Sequence, residues 1–295
     1  MTTSTLAPAR TAAASDWALL ILPGLIWGAS YLFIAESLQA IGPNGITFVR
    51  SAVGFATLSL VPAARRRLRP EDRRRGIVLG IIWMAFPLSM FPFAEQHVSS
   101  ALTGMLNGAV PLFAAAVASI LARRPPTRAV AIGLAVGFTG AVMMGLPGIL
   151  ADRTGGASSQ STGVLLILAA LVSYGTAINL ARPLQQRNGA LPVVWNAQAV
   201  AVLLTAPLGL PELLRAHWSP APLAALLTLG AFGTGIAYVF SATAAGRLGA
   251  TRASTTSFLV PAVALMLGVV VRHEHVAVLS MFGAVVCLAG VWLIR

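Results

Sequence analysis

RSAVGFATLSLVPAARRRLRPEDRRRGIVLGIIWMAFPLSM, Arg50–Met90, carries the pattern that decides the fold. An apolar run ends in a connection bearing seven Arg, and a second apolar run follows at once. A hydrocarbon core of roughly 30 Å takes about 20 apolar residues of helix, close to the length of each run. Outward from this stretch the pattern repeats. Apolar runs at 17–35, 44–63, 76–94, 98–121, 129–147, 163–181, 190–210, 219–246, 253–271 and 276–294 fill the chain. This predicts an all-α polytopic membrane protein with ten transmembrane helices.

Composition agrees. Of 295 residues, 57% are hydrophobic and only 9% charged, too few charges to cover a water-facing surface. A net charge of +12 would ordinarily raise nucleic acid as a partner. The placement of the charge argues for a lipid bilayer instead. With a cytoplasmic N-terminus, sixteen of the twenty Arg fall on the cytoplasmic side, and only Arg153, Arg215 and Arg272 fall outside. Arg50 alone lies within an apolar run. Basic residues in short loops stay inside, so both termini are expected in the cytoplasm. The run 17–35 is longer than the apolar core of a secretory signal and reads as a spanning helix. A single cysteine, Cys287, leaves no intramolecular disulfide.

Ten helices divide into five and five, and an odd number per half means that related halves are inverted across the membrane. An offset of 150 residues places Gly80 on Gly230, Pro111 on Pro261, Gly133 on Gly283 and Gly140 on Gly290. A slightly shorter offset places Trp27–Gly28 on Tyr174–Gly175. The expected organisation is a tail at 1–16, a first repeat at 17–147, an outer-face link at 148–162 and a second repeat at 163–295. No phosphate-binding loop, Gly-x-Ser-x-Gly or His-Glu-x-x-His pattern occurs, so neither ATP drive nor an enzyme is expected, and no cofactor.

Several features together resemble the EamA-type transporters of the drug/metabolite transporter superfamily. They are Trp27–Gly28, Arg50, the Ala-Glu-Gln-His-Val-Ser-Ser-Ala stretch at 94–101, Pro111, and the Gly spacing of the fifth and tenth runs. The likeness spans about 17 to 294 and rests on the order of short motifs. It implies two inverted five-helix repeats, a central cavity lined by helices 1, 3, 4, 6, 8 and 9, and export of small metabolites across the bacterial inner membrane. Amino acids, aromatic ones included, are the leading cargo; cationic drugs and quaternary ammonium compounds are the alternative. The oligomeric state stays open, a monomer included. Family members often carry Glu after helix four, where this chain has Arg123 and Arg124; Glu274 is present after helix nine.

Polar and aromatic groups on helix faces mark candidate substrate contacts, because such groups are costly against lipid. Thr103, Asn107 and Pro111 share a face, and Asn107 falls on Ser257, one turn before Pro261. That pair is the leading candidate, with plain interhelical hydrogen bonding as the other reading. Trp27, Tyr31, Trp83, Tyr174 and Tyr238 offer aromatic faces, and Asn179 an amide. Arg50 either meets a substrate carboxylate or forms a structural or gating pair, with helix-end carbonyls or with an outer-face acid such as Glu36 or Glu95, the second being the preferred reading. Pro111, Pro261, Gly80 and Gly230 are expected bend points. Glu95, His97 and His273–Glu274–His275 read as solvated loop residues rather than a metal or proton-relay site.

Overall fold

The computed structural model describes residues 14–153, 159–248 and 255–294, and among them every regular element is helical. The helices are α1 (Ala14–Ser37), α2 (Pro43–Ser59), α3 (Pro70–Ala94), α4 (Ser100–Ala122) and α5 (Arg128–Arg153). The second half holds α6 (Gln160–Asn188), α7 (Ala190–Leu214), α8 (Pro220–Leu248), α9 (Thr256–Arg272) and α10 (Val278–Leu293). Seven of these are long and apolar enough to cross a membrane, and α9 and α10 are shorter apolar helices. α2, at 17 residues and carrying Arg50, belongs to neither group. Large apolar side chains such as Leu203, Val270, Phe282, Val285 and Trp292 point outward, a surface suited to lipid rather than water.

Local chemistry sets the ends. Pro43 and Pro220 occupy first-turn positions, where the missing N–H costs nothing. Ser99 caps α4 by accepting from Leu102 N–H at 3.2 Å. Gly189, at φ +88°, turns α6 directly into α7. Within the expected link at 148–162, α5 runs on to Arg153 and α6 starts at Gln160. Residues 154–158 of that link, most of the 1–16 tail, and Arg10, Arg252 and Arg295 lie outside the described residues.

Packing repeats between the halves. A Cβ on Gly28 would stand 2.5 Å from Val263 Cβ, and one on Gly175 would stand 2.7 Å from the Phe113 backbone. Likewise Gly80 meets Val200 at 2.4 Å and Gly230 meets Val53 at 2.6 Å. Each contact thus recurs with its partners about 150 residues on, so α1 lies on α9 as α6 lies on α4. α5 and α10 cross at Gly140 and Gly290, where no side chain fits between the backbones.

The two expected bend glycines sit at widened turns. α3 contains a π-helical segment at Gly80–Ala85 and α8 one at Leu229–Ile236. Such segments free backbone carbonyls, and both are used: Ser173 Oγ–H donates to Ile82 O at 2.6 Å, and Trp27 Nε1–H to Gly233 O at 3.0 Å. α4 is interrupted after Asn107, resuming at Val110 just before Pro111. α9 differs. It runs without interruption through Pro261.

Candidate functional site

Between two apolar clusters, one around Ile34, Leu106 and Ile167 and one around Leu79, Leu184 and Val193, lies a cavity of about 340 Å³. All helices but α5 and α10 contribute to it, including α2 and α7 beyond the expected six. It runs from Ile34, Leu88 and Phe91 at one end to Gln185, Ala190 and Ala245 at the other. Ile34, Leu88 and Phe91 are buried, while Ala245 is exposed, so the mouth lies where α6 turns into α7 and α8 ends.

The closed end is tied by carboxylates. Glu274 Oε1 accepts from Ser100 N–H at 3.1 Å and from Ser100 Oγ–H at 2.8 Å, and Oε2 accepts from Ala101 N–H at 2.8 Å. Glu212 accepts from Asn44 Nδ2 at 2.8 Å and Gly45 N–H at 2.7 Å. Each carboxylate thus sits on a helix N-terminus, where the macrodipole favours negative charge. Arg272 bridges Glu36 and Glu274 at 3.4 Å each. Glu274 is therefore a clamp, not the solvated loop residue that its neighbours suggested. At the mouth end Asp72 takes Arg187 at 2.5 Å and Asn188 at 2.8 Å, tying the start of α3 to the end of α6.

Aromatic rings form two sets on the cavity wall. Tyr238 meets Trp27 edge-on at 5.5 Å and Trp83 at 6.0 Å. Phe91 meets Tyr31 edge-on at 5.7 Å and stacks on Tyr174 at 6.0 Å. The five rings singled out from sequence all line the cavity. Phe91 was missed, although it lies two turns from Trp83 on the same face of α3 and so shares its signal. Gln198 was missed too; fully buried, it donates to Thr234 O.

Asn107 and Ser257 both line the cavity: Asn107 ends the first part of α4 and Ser257 lies in the first described turn of α9. The Asn107 amide has no hydrogen-bond partner among the described residues, and its Oδ1 is buried. Two candidates belong to packing instead. Asn179 donates to Ala114 O at 2.9 Å and Gly175 O at 2.8 Å, and Thr103 is fully buried with its hydroxyl on Ser99 O at 3.0 Å.

Arg50 has no carboxylate partner among the described residues. It is 5% exposed, lines the cavity, and pairs with neither Glu36 nor Glu95. Its one side-chain hydrogen bond runs from Nε to Thr234 Oγ1 at 3.3 Å, in the widened turn of α8. The guanidinium is left with unused donors beside the cavity, and no Asp or Glu among the described residues lines that cavity. No group of three or more metal-ligating side chains occurs among the described residues.

A lipid-facing helical bundle around one amphipathic cavity, tied at one end and open at the other, defines a membrane transport protein. The profile of the EamA-like transporter family matches residues 17–146 and 161–295, and the chain belongs to that family. A Streptantibioticus cattleyicolor protein named "Probable terminal-alkyne amino-acid exporter" is 27% identical over 284 residues, covering 95% of this chain and 92% of its own. The Bacillus subtilis "Uncharacterized transporter YoaV" is 23% identical, covering 91% of this chain and 92% of its own. A solved crystal structure superposes with a TM-score of 0.62 at 18% identity over 96% of each chain, a likeness of fold.

Proposed function

We propose that this protein exports small amino acids, those with aromatic or other unsaturated side chains included, across the bacterial inner membrane. The observation carrying this reading is the cavity itself: two sets of rings beside one buried guanidinium without a carboxylate partner. Rings stack on a planar side chain, Arg50 receives the α-carboxylate, and the Asn107 amide and the tyrosine hydroxyls serve the α-ammonium. The Streptantibioticus relative, named for an amino-acid substrate, supports the same cargo. A quaternary ammonium cargo fits less well, since Arg50 would repel it and no lining carboxylate compensates.

Ten crossings with both termini cytoplasmic put the cavity mouth on the cytoplasmic side and the carboxylate ties on the outer side. The two halves, inverted with respect to each other, then exchange these roles by rocking, giving alternating access without ATP. The recurrence of helix contacts about 150 residues apart supports this mechanism. Flux of radiolabelled amino acids into proteoliposomes, with a quaternary ammonium control, tests it. Saturable transport of phenylalanine or another neutral amino acid, with a raised KM in Asn107→Ala, is expected. Transport of the ammonium compound alone overturns the cargo assignment.

A further inference from the structure

We propose that Glu95 is a proton-binding site that latches the closed end of the cavity, holding a proton while that end is shut and releasing it to external water when it opens. The proposal rests on the orientation given above, which makes the closed end the outer one.

Glu95 follows the last residue of α3, its N–H bonded to Phe91 O at 2.9 Å, one turn beyond the ring that closes the cavity. Both of its carboxyl oxygens are shut away from solvent, and neither has a hydrogen-bond partner. No other carboxylate at this end is left so. Glu36, Glu212 and Glu274 each accept hydrogen bonds from a side chain or a helix N-terminus. The groups facing Glu95 do not repair this. Arg272 of α9 is spent on Glu36 and Glu274, and Arg50 of α2 is bonded to Thr234. Glu274 itself repels a second negative charge, and Tyr31 of α1 is also within electrostatic reach. His97 follows on the same connection, and His273 and His275 flank Glu274.

A buried carboxylate without a hydrogen-bonding partner is strongly disfavoured against the neutral acid. Burial, and then the Glu274 charge, push the Glu95 carboxyl well above its ordinary range. Opening the outer end hydrates Glu95 and returns it toward the ordinary value of about 4.3. The direction of the linkage follows. A group whose affinity for protons is raised in the closed state favours that state below its hydrated value, and the preference is lost as pH rises through the raised value. Within that window the closed-to-open ratio changes by roughly tenfold per pH unit. External acid therefore returns an emptied carrier to the state that faces the cytoplasm. The proton moves from external water to a Glu95 oxygen and back by the same route.

The test uses right-side-out membrane vesicles, a Cys287→Ser background, and Ile34→Cys at the closed end, labelled from outside with an impermeant maleimide at several external pH values. Thiol ionisation raises every rate alike, so the quantity read is the rate relative to the same protein with Glu95→Gln, which mimics the protonated form. The expected result is a ratio that rises at least tenfold from acid to alkaline pH, with the rise kept in Glu95→Asp. A ratio independent of pH, or a pH profile that survives Glu95→Gln because the histidines produce it, overturns the proposal. The labelling needs no substrate. A failed amino-acid panel would leave this result standing, and a flat labelling profile would leave the cargo assignment standing.

Discussion

Replacing Arg50 by Gln separates a substrate anchor from a structural cation. Within the protein the guanidinium makes one 3.3 Å bond to Thr234, whose hydroxyl also donates to Leu229 O at 3.3 Å, so little of the fold depends on it. Toward a ligand it offers the fork that matches a carboxylate. Hydrogen bonds to charged groups contribute about 1.5–3 kcal/mol each, and two sharing one carboxylate are not additive, which gives about 3 kcal/mol for the pair. At 1.4 kcal/mol per factor of ten this is roughly a hundredfold in affinity. The assay compares phenylalanine with phenethylamine, which keeps the ring and ammonium but lacks the carboxylate. Arg50→Gln should raise the KM for phenylalanine about a hundredfold while leaving or improving amine flux, with Arg50→Lys between. An equal loss for both compounds, with a lowered Tm, would refute substrate contact; an unchanged KM would refute it more simply.

Asn107→Ala removes an amide that no protein group satisfies, so KM should rise several-fold to tenfold while the Tm in detergent stays within error of the parent. Glu274→Gln weakens three hydrogen bonds on the start of α4, a loss of about 2 kcal/mol. It should raise outside labelling of Ile34→Cys by over tenfold. Arg124→Glu, which replaces an exposed cation at the mouth with a carboxylate, should act the same way from the opposite end; unchanged labelling would count against a clamp there. Gly140→Ala forces a methyl to within 2.3 Å of the Cys287 backbone and should cost about 1–3 kcal/mol, read as a lowered Tm. Gly246→Ala meets nothing within 4 Å and should be neutral or slightly stabilising in the same measurement.

The helices were legible because lipid imposes a single length and a single polarity on every spanning element. The recurrence of Gly and Pro was legible for a related reason: where backbones touch, as at Gly140 and Gly290, only glycine fits. The rings were found by the same filter, since Trp27, Trp83 and Tyr238 lie too deep in their helices to be interface anchors. What stayed hidden depends on partners rather than position. Asn179 and Asn107 are both amides within apolar runs, yet one spends its protons on Ala114 and Gly175 while the other is unpaired. Arg50 lay within plausible reach of two carboxylates, but Glu36 is taken by Arg272 and Glu95 is not within pairing distance. Glu95 looked solvated because sequence shows a helix end, not the helices that close over it.

The departures from repetition carry the most functional information. Arg123 at φ 49° and His273 at φ 54° end α4 and α9 with the same left-handed residue, 150 positions apart. The next residue then decides each end's behaviour. After His273 comes Glu274, which reaches the N-terminus of α4 and ties the closed end. After Arg123 comes Arg124, an exposed cation, at the end where the cavity opens. The same contrast holds for the prolines: α4 breaks before Pro111 beside the unpaired Asn107, while α9 passes Pro261 intact. Two halves with the same packing thus differ in a helix break and in one charge after a shared cap. Those differences distinguish the two ends of the cavity without altering the scaffold, and under the alternating access proposed above they would favour one of its orientations.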